Sequence, residues 1–547
     1  MDFSSPSYRD TVLRAGTAAV AAVSMAMFVS GTNGLPLDDS YIHLVFAKNL
    51  AAGHGFSFNP GEFSLGFTSP LWVGMLALTG LIGAEPVSTA RLFSALFLCV
   101  SAVLVFDLVR LSVKSSYGED SNHTGRWPSV YGLFAGLGMA VSGNMLWLGG
   151  AGMEATLFLA LGLASILSLS GERVRPWLSG PLLGLFLLAR PTGLVLWAIL
   201  GAWLVLRKKD RKEVALFLLV SIVSLAGWSI FSYATTGHLL PPTRAGKLAS
   251  NLFNAGFSLK GMRGFLLLHL RYLASADSGI LYLALFGLVA AFLRKLSMRR
   301  EGPLKDRLAG ALPRITPASV LVLWALFHLL AHSIFFRSTY VLTPYHNLRY
   351  QVMLIPAVLA GASYALFMAA SALGGGTGDS EDGLKRGIPL FMALILIIAP
   401  MVGEFRRAGE WQALYRTNIA HLAAVHKAAA VWSDEALPGD ARIATLDIGI
   451  MGFFSGRYII DMGGLVDPEA ISYLEKKRAG KYMAKMDADY YFEMVRPPSD
   501  TITGVSKDEG MLYTLEEMRR FDFPEYANPV LLHSRGLVAH KVDLLAD

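Results

Sequence analysis

The sequence predicts an α-helical polytopic membrane protein with a small C-terminal α/β domain. Of its 547 residues, 53% are hydrophobic and only 16% are charged, whereas a soluble globular chain usually has about 25% charged residues. Apolar runs of roughly 17–25 residues recur from Thr11 to Val402, and each is long enough to cross a hydrocarbon core about 30 Å thick as a helix. From Glu404 onward charges appear every few residues, so residues 404–547 are predicted as a separate soluble domain.

The predicted transmembrane part, residues 1–403, contains about 11 helices, because a run of about 20 apolar residues makes one span. The segment 69–84 is also apolar but short, and it is either a twelfth span or a helix in the membrane interface. The approximate spans are 11–31, 88–110, 130–145, 154–171, 177–190, 192–206, 214–235, 277–293, 315–335, 350–372 and 388–403.

The distribution of positive charge predicts the orientation. With 69–84 in the interface, the loops on the N-terminal side hold about 21 Lys and Arg, against about 9 in the opposite short loops. The strongest markers are RKKDRK at 207–212 and RKLSMRR at 294–300. The positive-inside rule therefore predicts a multi-pass protein of the inner or plasma membrane, with a cytoplasmic N-terminus and an extracytoplasmic C-terminal domain. Since much of the net charge of +7 lies in these loops, it favours a lipid bilayer over nucleic acid as partner.

This orientation places three loops outside: 32–87, a tight turn at 146–153, and 236–276. In the C-terminal domain, the alternating segments RIATLDI, RYIID, DYYFEMV and GLVAHKV predict strands, and PEAISYLEKKRAGKYMAK predicts helix. Strands interleaved with helices are typical of an α/β fold. Asp447-Ile448-Gly449 and Gly463-Gly464 lie at the ends of predicted strands, where a loop either binds a ligand or simply turns the chain.

Two adjacent carboxylates, Asp38 and Asp39, follow the first span. Because adjacent carboxylates repel each other and are costly to desolvate, the pKa of one should rise unless a cation lies nearby. That property suits a general base or a metal ligand. The structural alternative is that one of them caps the helix SYIHLVFAKNLAAG, which ends at Gly53.

A resemblance to a known family begins at these aspartates. Residues 35–72 resemble the first outer loop of the GT-C superfamily of polyprenyl-phosphate-sugar-dependent glycosyltransferases, and are closest to the branch of the mycobacterial terminal arabinofuranosyltransferases. In that branch an acidic pair is followed by an amphipathic helix and three short motifs. The matching residues here are Asp38-Asp39, Gly53-His54-Gly55, Asn59-Pro60-Gly61-Glu62 and Thr68-Ser69.

Further segments resemble the same family in order along the chain. GGAGMEATLF resembles its second acidic loop and contributes Glu154, and LLPPTRAGK resembles a loop in which Pro242 stands where the family has Asn. The segments are GGAGMEATLF at 149–158, LLARPTGL at 187–194, LLPPTRAGK at 239–247, RYQVMLIPAVLAG at 349–361, and the stretch 439–469 of the outer domain.

The resemblance implies transfer of a sugar from a polyprenyl-phosphate donor to a hydroxyl of a cell-envelope glycan, lipid or protein. It implies catalytic roles for Asp39 as base, Asp38 as its orienting group or a metal ligand, and Glu154. A divalent cation held by these three carboxylates is left open as a cofactor. The departing phosphate needs cationic groups, and the candidates are Arg244, Lys247, Arg349, His346, Lys48 and His43.

Each of these assignments has an alternative. Glu154 is also the residue that a helix dipole favours in a first turn, and outer-loop cations also contact lipid headgroups. His328 and His332 have metal-ligand spacing but no evident third ligand, which favours a hydrogen-bonded helix pair. At the level of function, a transporter or flippase of lipid-linked sugars would place ionisable residues near the bilayer midplane, and a glycan polymerase or ligase would use the same membrane surface.

Overall fold

The computed structural model describes residues 8–115, 127–171, 174–237, 239, 259–271, 273, 315–335, 349–373, 383–476, 478–495, 504–508, 511–523 and 536–545. The N-terminal three quarters of this part is helical. Its helices are α1 Tyr8–Val29, α2 Asp38–Ala51, α3 Pro70–Gly80, α4 Pro86–Lys114, α5 Trp127–Val141, α6 Gly143–Gly150, α7 Ala155–Ser168, α8 Pro176–Ala189, α9 Leu194–Leu206, α10 Arg211–Thr236, α11 (residues 259–271), α12 Pro317–Phe335, α13 Leu354–Leu373 and α14 Gly383–Leu422.

Four of the described helices are long and apolar enough to cross a membrane, namely α1, α4, α10 and α12. The pair α5 and α6, bent by 57°, is a candidate fifth span, and shorter apolar helices include α3, α7, α8 and α9. The chain is therefore membrane-embedded, while the number of 11 spans stays a prediction and span 277–293 lies outside the described residues. As a helix, α3 has 11 residues and rises about 17 Å, too little to cross a core of about 30 Å.

Two predicted boundaries differ from the structure. The tight turn expected at 146–153 is wrong, because residues up to Gly150 form α6 and the turn follows at 151–154. The domain boundary expected at 403/404 falls inside α14, which continues past the predicted span 388–403 to Leu422 without a break. The change from apolar to polar composition at residue 404 therefore lies within one continuous helix and does not mark the end of an element.

The C-terminal part contains a six-stranded mixed sheet. After a π-helical turn, Ala423–Lys427, its elements are α15 Ala428–Ala436, β1 Arg442–Thr445, α16 Ile448–Phe454, β2 Tyr458–Asp461, α17 Glu469–Glu475, α18 Ala479–Lys485, β3 Tyr490–Val495, β4 Gly504–Asp508, β5 Met511–Asp522 and β6 Gly536–Leu545. The strand order is β2-β1-β3-β6-β5-β4; β1 runs parallel to β2 and β3, and the remaining pairs are antiparallel. Four strands lie on the segments with alternating pattern, whereas β4 and β5 were not predicted.

The contact between the helical part and the sheet domain positions the candidate site. Helix α16 packs along α2, and the hydrophobic core continues from one part into the other. A side chain on Gly452 would overlap Phe58, and one on Gly66 would overlap Val466. The two parts are therefore in close steric contact along the loop 32–87.

Candidate active site

Helix α2 is fixed against the turn that precedes α7. Ser40 Oγ donates a hydrogen bond to the carbonyl oxygen of Ala151 at 2.7 Å, and Arg91 of α4 donates to the carbonyl oxygen of Thr32 at 2.9 Å. These bonds place the start of α2 beside Glu154, so the first and second acidic loops of the sequence meet.

Asp39 forms an ion pair with Arg349. Asp39 Oδ2 lies 2.7 Å from Arg349 Nη2, and the aspartate side chain is 41% exposed whereas that of the arginine is 3% exposed. Arg349 Nη2 also donates to the hydroxyl of Tyr350 at 2.9 Å. The guanidinium is thus held in place from within, and the carboxylate is the member of the pair that solvent or a substrate can reach.

Glu154 forms a second, fully buried ion pair. Its Oε1 accepts a hydrogen bond from Arg190 Nε at 2.9 Å, and its side chain is 2% exposed. Arg190 Nη1 in turn donates to the carbonyl oxygen of Arg349 at 2.7 Å. A buried charge needs a partner of opposite sign to offset its desolvation. The contacts link Asp39, Arg349, Arg190 and Glu154 into one network, drawn from four separate segments of the chain.

Arg190 is a site residue that sequence reasoning missed. The 3-10 turn Pro191–Gly193 follows Arg190, and Arg190 itself is only 7% exposed. Extended backbone at Arg190 directs the chain from α8 into this turn. The usable signal was the expectation that a buried arginine has an acidic partner, which here is Glu154.

His43 lies one helical turn after Asp39 and is also buried. Its Nε2 is 3.9 Å from Glu154 Oε2, beyond hydrogen-bond distance, and neither ring nitrogen has a hydrogen-bond partner among the described residues. Burial lowers the pKa of His43, so the neutral ring prevails at neutral pH. His43 is therefore a neutral neighbour of the ion-pair network.

Asp38 points to the C-terminal domain instead. Its two carboxylate oxygens accept hydrogen bonds from the backbone N–H groups of Gly449 at 2.8 Å and Ile450 at 2.7 Å, in the first turn of α16. The capping alternative is wrong for both aspartates, because α2 begins at Asp38 and its N-cap residue is Leu37, without a side-chain cap. Asp38 binds one domain to the other.

A histidine and a further aspartate lie close to Asp38. His426 Nε2 is 2.8 Å from Asp447 Oδ2, and the histidine side chain is 2% exposed. Burial and the charge of Asp447 raise the pKa of Asp38 to about 7, against the opposing effects of His426 and the two backbone bonds. Burial opposes the charge on His426, but its hydrogen bond to Asp447 and the two carboxylates outweigh burial and raise the pKa of His426.

The three predicted carboxylates each have a different partner in the described part of the chain. Asp38 accepts two backbone N–H bonds, Asp39 pairs with Arg349, and Glu154 pairs with Arg190. A hard divalent cation needs several oxygen ligands that converge on one point, and no group of three or more potential metal ligands occurs among the described residues. Arginine, rather than a cation from solution, neutralises Asp39 and Glu154.

The remaining predicted residues fall elsewhere. Lys48 is exposed, with its Nζ 5.7 Å from the ring centroid of Phe453, and nine residues along α2 place it roughly 13 Å from Asp39. His328 and His332 stack with ring centroids 4.5 Å apart, and His328 Nε2 lies 3.2 Å from the carbonyl oxygen of Tyr350. Arg244, Lys247 and His346 lie outside the described residues.

One family model and several solved structures match this chain. A family profile described as "Domain of unknown function (DUF8728)" matches residues 412–528. No curated protein sequence matches the chain. Among solved structures, ArnT from Cupriavidus metallidurans bound to undecaprenyl phosphate is 13% identical, with 97% of each chain covered and a TM-score of 0.51. The apo state of the same protein is 12% identical, with 97% of each chain covered and a TM-score of 0.50.

At this level of identity the likeness to ArnT shows a shared fold. This likeness extends over almost the whole chain, through both the helical part and the sheet domain. The resemblance to the arabinofuranosyltransferase branch stays a prediction.

Proposed function

We propose that the chain is a GT-C type glycosyltransferase that moves a sugar from a polyprenyl-phosphate donor to an acceptor hydroxyl at the extracytoplasmic membrane surface. The observation that carries the proposal is the network Asp39–Arg349–Arg190–Glu154, in which an accessible carboxylate lies beside a rigidly held guanidinium. The ArnT structure contains undecaprenyl phosphate, which supports a polyprenyl phosphate as donor here.

In the proposed reaction, the acceptor hydroxyl oxygen attacks the anomeric carbon of the donor. The bond from that carbon to the phosphate oxygen breaks, and the polyprenyl phosphate leaves with the bonding electron pair. Asp39 accepts the hydroxyl proton, a role suited to its exposure. Arg349 holds the Asp39 carboxylate in position, and Arg244 and Lys247 stay the candidates for stabilising the charge that develops on the phosphate. Glu154 and Arg190 keep the backbone of Arg349 in place, so they are positioning residues.

The donor sugar, the acceptor and the need for a divalent cation are also part of this proposal. The resemblance of residues 35–72 to the arabinofuranosyltransferase branch makes a pentofuranose the first donor sugar to test, and a cell-envelope glycan the first acceptor. Transfer is proposed to proceed without a divalent cation, since arginine neutralises the accessible carboxylate.

A transfer assay with the purified chain in proteoliposomes tests the function. Polyprenyl phosphates that carry arabinofuranose, 4-aminoarabinose, mannose or glucose are offered with a mixture of envelope glycan acceptors. The proposal predicts a glycosylated product and release of polyprenyl phosphate with at least one donor. Movement of a lipid-linked sugar across the bilayer without any glycosylated product would replace this proposal with the transporter alternative.

A further inference from the structure

A cavity of about 340 Å³ lies between the two parts of the molecule, away from the ion-pair network. Its walls are the first outer loop around Asn59 to Leu65, the end of α10 at Thr235 and Thr236, and the β2 edge of the sheet domain. The volume is at the small end of the range of roughly 300–1,000 Å³ that holds small ligands, enough for about one or two sugar rings.

The walls of this cavity are preformed. The Asn59 side chain pairs with the backbone of Ile459 in both directions: Nδ2 donates to the carbonyl oxygen at 2.9 Å, and Oδ1 accepts from the N–H at 3.0 Å. Asn59 is 8% exposed, so these bonds are shielded from competing water. A ligand would therefore enter a shape that already exists, with little ordering cost.

The polar groups of the cavity suit a ring that carries hydroxyls. The Tyr458 hydroxyl donates to Glu62 Oε2 at 2.6 Å, and the Tyr482 hydroxyl donates to Asp467 Oδ2 at 2.7 Å. Both carboxylates accept hydrogen bonds and are fixed by a phenol. Ser64 also lines the cavity, although its Oγ is shielded from solvent. The two carboxylates are therefore the groups that can accept hydrogen bonds from ligand hydroxyls.

The charged residues that line this cavity differ from those of a phosphate-binding site. Glu62, Asp461 and Asp467 line it, and no lysine or arginine does so in the part of the chain that the structure describes. An anionic ligand would meet like charges there and would lose affinity. A neutral hydroxyl, or an amine, would find acceptors instead.

We infer that this cavity binds a sugar residue of the acceptor, and that this residue is neutral or carries an amino group. This inference rests on the proposed function, because only a transfer reaction has an acceptor. Binding to the cavity does not depend on the transfer step, which allows the two ideas to be tested separately.

The first experiment measures binding without donor, by saturation-transfer NMR and titration of the full chain in nanodiscs. The probes are lactose, a glucosamine disaccharide and digalacturonate. We expect lactose or the glucosamine disaccharide to bind at least tenfold more tightly than digalacturonate. Equal binding of all three, no binding of any, or preference for digalacturonate would overturn the inference.

Two variants locate the binding site. Glu62→Gln and Tyr482→Phe should each weaken binding of the preferred disaccharide at least fivefold. Glu469→Gln is the matched control, because Glu469 is an exposed carboxylate near the cavity that pairs with Lys485 and does not line it. Thr235→Ala, on α10, gives a third test that leaves the sheet domain unchanged. Unaltered binding in the folded lining variants, or an equal loss in Glu469→Gln, would contradict the site.

A kinetic measurement separates this inference from the proposed function. If transfer occurs, Glu62→Gln should raise the KM for the acceptor at least fivefold and leave the KM for the donor and kcat within twofold. Disaccharide binding without any transfer would leave the cavity assignment intact and reject the enzyme. Transfer with an unchanged acceptor KM in Glu62→Gln would retain the enzyme and reject the acceptor site.

Discussion

Asp38 and Asp39 are neighbours in the chain, yet they belong to two different regions. Asp39 joins the ion-pair network inside the helical part, where arginine is its partner. Asp38 joins the domain contact, where the partners are the peptide groups of Gly449 and Ile450 and a nearby His426–Asp447 pair. Successive residues of a helix are about 100° apart around its axis, which directs the two carboxylates to different surroundings.

The comparison indicates a division of labour. A carboxylate with both oxygens bonded to peptide N–H groups is occupied and holds a domain in place. A carboxylate that is 41% exposed beside an arginine can meet a substrate.

Breaking the buried Glu154–Arg190 pair should lower the free energy of unfolding more than breaking an exposed ion pair does. Glu154→Met or Arg190→Met leaves an uncompensated charge in a site that is at most 8% exposed, and each should cost about 3–5 kcal/mol. The double variant should cost less than the sum of the two. Thermal unfolding of the purified chain measures all three.

A surface pair provides the control for this cycle. Asp434→Asn removes the partner of Arg457 at a site where the aspartate is 57% exposed, and it should change stability by about 0–1 kcal/mol. Equal effects for Glu154→Met and Asp434→Asn would show that the network is not buried as described.

The domain contact should be sensitive to a single methyl group. A Cβ on Gly449 would overlap the carbonyl oxygen of Asp38, whereas one on Gly409, on α14, would meet nothing within 4 Å. We expect Gly449→Ala to cost about 1–3 kcal/mol, as overpacking usually does, and to speed proteolysis of the sheet domain. Gly409→Ala should not destabilise the chain, because Ala is the better helix former, and it should leave proteolysis of the sheet domain unchanged; a loss of stability equal to that of Gly449→Ala would argue against this interface.

Sequence reasoning found one of these regions and only part of the other. The acidic pair, Glu154 and Arg349 could be picked out because short motifs surround them, and the structure brings Asp39, Glu154 and Arg349 together. Arg190, Tyr350 and His426 were not assigned to either region, because their roles depend on which distant segments meet. Asp447-Ile448-Gly449 was noted at a strand end, but a sequence does not tell which carboxylate its peptide groups bind.

Patterns of hydrophobicity had a similar limit in the fold. They indicated the apolar helices and four of the six strands, since each of these elements has its own period. They did not indicate β4 and β5, nor that α14 continues across the change in composition. The polarity of a segment indicates whether it is exposed to water, not whether a helix ends there. A helix can continue out of a membrane because its backbone hydrogen bonds are satisfied within the helix in either environment.

The domain contact should weaken as the pH rises. The pKa of Asp38 is raised to about 7 and that of His426 is also raised, so the docked cluster binds protons more tightly than the separated residues do. Stability from these groups is therefore greatest at low pH and is lost as the pH rises through 7, by at most about 1.4 kcal/mol per pH unit for one proton.

Hydrogen exchange of α16 between pH 6 and 8.5, corrected for the intrinsic rate, measures this effect. Protection should fall toward pH 8.5 in the wild type and should vary less with pH in Asp38→Asn. Protection that rises with pH in the wild type would contradict the direction of both shifts.

The smallest expected effect is that of a chelator. Because arginine neutralises Asp39 and Glu154, 5 mM EDTA should change the transfer rate less than twofold. A loss of more than tenfold that Mg²⁺ or Mn²⁺ restores would show that the carboxylates bind a cation during the reaction.

The most direct test of the division of labour compares kcat for Asp39→Asn and Asp38→Asn in the transfer assay. Asp39→Asn should lower kcat by about 10²–10⁴-fold, the usual effect of removing a general base, and should also lower stability, because the buried Arg349 loses its charged partner. Asp38→Asn should lower stability by about 1–3 kcal/mol through its lost N–H bond and reduce kcat less than tenfold. Wild-type kcat in Asp39→Asn, or a larger loss of kcat in Asp38→Asn, would contradict the account.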